Sequence, residues 1–151
     1  TELGLDDKFK VDSCGLLGTC GTEMPRFPNM MGYADLWALT DSHLQRLGIE
    51  VPETQTAKPI DRAIAQEASL ILAMNREILC ELPGNLINQF PDFGFKMRLF
   101  SEMAGDICDL PDCDGKSDSQ MYQEVVFGID SIVKNGIKKM CMLTDVLPQT
   151  L

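Results

Sequence analysis

The sequence has no apolar run near the roughly 18 residues that a membrane span requires. Its longest such run, residues 68–74 around Ser69, has the length of a strand. Positive charge is also short: 23 Asp and Glu stand against 13 Lys and Arg, a formal net charge of −10 over 151 residues. Such a surface repels phosphate backbones and anionic lipid heads, so nucleic-acid or membrane binding would need a local basic patch. The densest basic segment holds only Lys134, Lys138 and Lys139, so neither partner is expected. The six cysteines, Cys14, Cys20, Cys80, Cys108, Cys113 and Cys141, include no C-x-x-C pair. Their irregular spacing, in a chain 44% apolar and able to build a core without staples, predicts reduced thiols and a cytoplasmic setting. There is no internal repeat or low-complexity segment, and the first ten residues are too polar and charged for a signal peptide.

What is present alternates between strand and helix patterns. Residues 9–13 alternate apolar and polar and stop at Gly15, which predicts a short strand. Residues 14–29, rich in Gly and Pro, read as a loop. Residues 34–47 repeat apolar side chains at Leu36, Leu39 or Thr40, Leu44 and Leu47 before Gly48, an amphipathic helix. A connector leads to a short helix over 60–67 with Asp61 in its first turn. The run over 69–74 is a strand covered on both faces, 75–82 a helix broken by Pro83-Gly84, and 95–100 another strand. A loop crowded with acids spans 106–118. A long helix follows from 118 to 142, capped by Ser117, with Met121, Val125, Ile129, Ile132 or Val133 and Ile137 on one face. Together these predict one domain of three-layer α/β architecture, a small parallel sheet with helices on both faces.

Several stretches, in order, resemble the low-molecular-weight protein tyrosine phosphatases. Phe9-Lys10-Val11-Asp12-Ser13-Cys14-Gly15 resembles that family's V-D-S-A-G strand end. His43 to Ile49 and Ala57-Lys58-Pro59-Ile60 resemble its helix, G-I turn and A-R-x-I segment. Leu72-Ala73-Met74-Asn75-Arg76 resembles L-A-M-D-R. Met97-Arg98-Leu99-Phe100-Ser101-Glu102, followed by Asp109-Leu110-Pro111-Asp112-Cys113-Asp114-Gly115, resembles R-L-x-x-E and D-I-P-D-P-Y-G. Tyr122-Gln123-Glu124-Val125 then opens the last helix as in the family. The match covers about residues 3–142, with extra residues around 22–33 and 88–95.

The resemblance implies a hydrolase of phosphate monoesters acting through a cysteinyl-phosphate, on a phosphorylated protein or a small aryl phosphate, without cofactor or metal. It puts Asp112 at the general acid/base position and Ser13 at the serine that hydrogen-bonds near the nucleophile. A serine ending a strand by bonding its own backbone reads equally well at Ser13. Gln55 stands where many members have a histidine bracing the phosphate loop. Cys113 and Asp114 stand where the family has proline and a substrate-stacking tyrosine, and Asn75 replaces an acid. The family's opening strand and C-x5-R phosphate loop have no counterpart. Cys20 and Arg26 satisfy that spacing, but Gly21-Thr22-Glu23-Met24-Pro25 puts a carboxylate and a proline where backbone N–H groups must face a dianion. The chain opens on Thr1, without Met, in what reads as the last turn of a helix. The expectation is therefore a domain over 1–151 lacking its N-terminal central strand, with residues 9–13 and the 70–74 strand unable to pair directly.

Two other functions compete. A catalytically inactive member acting as an interaction or regulatory module, with a protein partner, is favoured by Gln55, Cys113 and Asp114. A thiol-dependent arsenate reductase shares the fold by analogy and would draw on Cys80 or Cys108. Asp112-x-Asp114-Gly115 fails as a calcium loop, because Leu110 and Met121 occupy positions that need acids. Cys108 and Cys113 flank the acidic loop but lack a third ligand, and read as incidental thiols. His43, the single histidine, reads as a helix-surface or helix-packing residue, Trp37 as core or sheet packing, and the nine methionines as core filler.

Overall fold

The computed structural model describes residues 8–17, 29–52, 56, 58–111, 113 and 118–146. Two parallel strands, β1 (Ile71–Ala73) and β2 (Met97–Leu99), pair with Ile71 opposite Met97 and Ala73 opposite Leu99. Alternate side chains of a strand go to opposite faces, so the apolar run around β1 feeds two cores. Ile71, Ala73, Met97 and Leu99 join Leu16, Ala65, Leu79, Leu86 and Phe90 on one side. Leu70 and Leu72 pack on the other against Phe100, Met103 and Ile132. The first core is closed by α2 (Arg62–Glu67) and α3 (Leu86–Gln89), and the second by α4 (Ser119–Leu143). This is the three-layer α/β arrangement that the alternating pattern predicts.

Local chemistry sets the element ends. Before α4 comes α1 (Ala34–Arg46), which ends through Leu47 at Gly48, whose φ of +69° is a left-handed stop suited to glycine. The Asp61 side chain accepts the Ile64 N–H at 2.8 Å, so this acid caps α2 from the position before its first turn. Asp118 caps α4, accepting the Gln120 N–H at 2.9 Å, while Ser117 lies outside the described residues. The helix expected over 75–82 is a single π-turn, Glu77–Glu81, with the Asn75 side chain accepting the Ile78 N–H.

The strand expected over 9–13 does not form. Val11 is 88% exposed, and the segment's one bridge is at its end, Gly15 beside Pro59 in parallel. Alternation makes a strand only where a neighbour completes its hydrogen bonds. Among the described residues β1 has β2 as its neighbour and does not pair with 9–13, in keeping with the expected interruption.

At the contact between α1 and α4 the expected stripe is present, with Leu36, Leu39, Leu44 and Leu47 half-buried and Thr40 buried. Thr40 and His43 are the buried residues of α1. The Thr40 hydroxyl donates to the Leu36 carbonyl, which satisfies it within its own helix. His43 Nε2 lies 3.5 Å from Ser119 Oγ, and the Arg46 guanidinium sits over the Phe127 ring, 5.0 Å from its centroid. His43 is thus a packing residue between two helices.

Candidate active site

The acidic segment passes the C-terminal end of β1, the edge at which open α/β sheets bind ligands. Four residues of it are fastened to the framework. Ser101, buried in the turn after β2, donates its hydroxyl to the Cys108 carbonyl at 2.6 Å and accepts the Cys108 N–H at 3.2 Å. Asp109 is held by Arg76, just beyond β1. The Arg76 backbone N–H donates to Oδ1 at 2.7 Å, and Nε and Nη2 donate to Oδ2 at 3.1 and 2.8 Å. The Leu110 N–H donates to the Met74 carbonyl at 3.0 Å. Beyond position 112, the hydroxyl of buried Tyr122 donates to the Cys113 carbonyl at 3.0 Å. The chain is therefore tied on both sides of Asp112. Asp112 and Asp114 themselves, like Gln55, lie outside the described residues.

A second cluster surrounds Ser13. The Gly15 N–H donates to the Lys58 carbonyl and the Ile60 N–H to the Gly15 carbonyl, both at 2.9 Å. The Lys58 ammonium donates to the Asp12 carboxylate, and the Ser13 N–H donates to Asp12 Oδ1 at 3.0 Å. These bonds seat Ser13, exposed to solvent, beside the stretch that follows Gln55.

The charges are paired rather than poised. Hydrogen bonds from the Arg76 side chain and backbone hold the Asp109 carboxyl below its ordinary value, and Asp109 in turn raises Arg76. The Lys58 hydrogen bond lowers Asp12, and Asp12 raises Lys58. Burial pushes the Cys14 thiol up, with Asp12 and Asp61 adding to it against the opposing Lys58. A raised thiol is the reverse of an activated nucleophile. Of the described cysteines, Cys14, Cys80 and Cys108 are exposed, Cys113 is half-buried and Cys141 is buried. Among the described residues no three His, Cys, Asp or Glu side chains converge as metal ligands. No described helix is long and apolar enough to cross a membrane.

Sequence reasoning reached the acidic segment but missed what holds it: Arg76, Asp109, Ser101 and Tyr122. All four lie in the stretches that carry the family resemblance. The signal available was a strand-end arginine together with an acid three residues before Asp112.

The solved structures similar to this chain include two from Vibrio species. Wzb of Vibrio vulnificus, in complex with benzylphosphonate, is 20% identical with a TM-score of 0.56. The match covers 68% of this chain and 65% of that one. A low molecular weight phosphotyrosine phosphatase of Vibrio cholerae O395 is 21% identical with a TM-score of 0.55, over 68% of this chain and 64% of that one. The chain thus has a fold like that of the low-molecular-weight phosphotyrosine phosphatases and spans less than two thirds of either neighbour's length. No family model and no curated protein matches it.

Proposed function

We propose that these 151 residues are the larger part of a phosphatase-like hydrolase of phosphate monoesters, with Asp112 as its general acid and base. The nucleophilic cysteine and its phosphate cradle come from a segment outside these residues. In the reaction, a thiolate attacks phosphorus and the ester P–O bond breaks as Asp112 gives its proton to the leaving oxygen. The Asp112 carboxylate then takes a proton from water. That water attacks the phosphocysteine, releasing phosphate and restoring the thiolate. Ser13 would hydrogen-bond near the nucleophile, Gln55 would stand at the position that braces the phosphate loop, and Asp114 would face the substrate, a phosphorylated protein or a small aryl phosphate.

The observation that carries this reading is the fastening of the segment around Asp112 at residues 108, 109, 110 and 113, at the ligand-binding edge of the sheet. The fold, like that of a chain solved with benzylphosphonate, supports it. A second reading, a catalytically inactive interaction module, is favoured by Cys113 and Asp114 at the family's proline and tyrosine positions, because another carboxylate there disfavours an anionic substrate.

The test is turnover of an aryl phosphate by the isolated chain and by a form extended with the sequence encoded upstream of Thr1. The isolated chain is expected to be inactive and the extended form active and inhibited by phosphate. Phosphate-inhibitable turnover by the isolated chain would overturn the placement of the nucleophile. An inactive extended form carrying C-x5-R would favour the module.

A further inference from the structure

We propose that Arg76 and Asp109 form a latch that sets the position of the segment carrying Asp112, making both positioning residues for the acid of the proposed reaction. Arg76 lies three residues beyond the end of β1 and immediately precedes the turn Glu77–Glu81. Asp109 lies three residues before Asp112. The carboxylate spends both oxygens on Arg76, one on the backbone N–H and one on the side chain. That geometry needs the planar fork of arginine: a lysine ammonium supplies the charge without the two converging N–H groups. The neighbouring Leu110 N–H is thereby brought to the Met74 carbonyl, so the segment docks along the end of β1. The segment is also tied at Cys108 by Ser101 and at Cys113 by Tyr122, so loss of the latch frees Asp109 and Leu110 between two remaining ties.

The latch is tested in the 151-residue chain by amide hydrogen exchange and a pH titration of backbone amide shifts. Arg76→Ala is expected to lower protection of the Leu110 N–H by about five-fold, with Phe100 and the amides of α4 unchanged. Arg76→Lys is expected to restore little of it. Asp109→Asn, which keeps an acceptor for the Arg76 N–H, is expected to fall between. In the parent, the Arg76 and Leu110 amide shifts are expected to follow a common acid transition, which Asp109→Asn abolishes. Unchanged Leu110 protection in Arg76→Ala and Asp109→Asn, full rescue by lysine, or separate transitions for the two amides would overturn the latch. Its catalytic meaning rests on the reading of Asp112, whose failure shows separately as turnover of the extended form unaffected by Asp112→Asn.

Discussion

Gly136 sits in α4 where that helix crosses the turn Ser101–Ala104, and the contact leaves no room for a side chain. A Cβ there would lie 2.6 Å from the Met103 Cβ, 2.8 Å from its carbonyl carbon and 2.9 Å from its carbonyl oxygen. Ordinary contact begins at 3.4 Å, so alanine demands a displacement of about 0.8 Å from atoms of a buried backbone. Overpacking of this kind costs about 1–3 kcal/mol. Against it stands the gain of about 1 kcal/mol that alanine brings to a helix interior. The expected net result of Gly136→Ala is a loss of up to about 2 kcal/mol in urea unfolding. Gly128 in the same helix is the control. Its added Cβ meets only Leu110 Cδ2 at 3.9 Å, so Gly128→Ala keeps the helix gain and is expected to stabilise by about 0.5–1 kcal/mol. A Gly136→Ala chain stabilised as much as Gly128→Ala would refute the close approach of α4 to the turn, and with it the framework from which Ser101 reaches Cys108.

Asn85 is buried and makes three side-chain bonds: it accepts the Asn88 N–H and donates to the Cys80 and Leu82 carbonyls. Asn85→Ala is expected to cost about 2–3 kcal/mol through the lost cap and the unsatisfied carbonyls, and a loss below 1 kcal/mol in urea would contradict this. Acid should weaken the fold through Asp12 and Asp109. Both are lowered, so their contribution is present above the ordinary value of 3.8 and lost as pH falls through the folded value. Lys58 is raised, so its share is present below 10.5 and lost as pH rises through its folded value. The unfolding midpoint of Asp109→Asn should therefore fall less steeply below pH 4 than that of the parent, and parallel curves would refute the pairing.

The sheet, the long final helix and the acidic segment were legible because each depends on a local pattern: an unbroken apolar run, a helical repeat, a cluster of acids. The strand over 9–13 was misread because alternation states only what a strand would look like if another strand accepted it. The buried line of α4 keeps Ile132 of the expected face, whose Met121, Val125, Ile129 and Ile137 are half-buried, and adds Tyr122, Gly136 and Cys141. Hydropathy gives a glycine no weight, although here its missing side chain permits the contact. On α1 the helical repeat already offered Thr40 beside Leu39, and the buried His43 leaves its Nδ1 without a hydrogen-bond partner among the described residues. The Arg76–Asp109 pair joins residues 33 apart, and nothing local in the sequence announces which arginine meets which acid.

The central claim is that Asp112 moves the proton in a phosphoryl-transfer reaction whose nucleophile lies outside these residues. It is tested most directly by kcat for an aryl phosphate in the upstream-extended protein and its Asp112→Asn variant. The account predicts a fall of about 10²-fold or more with a poor leaving group. Unchanged turnover in the variant would contradict it.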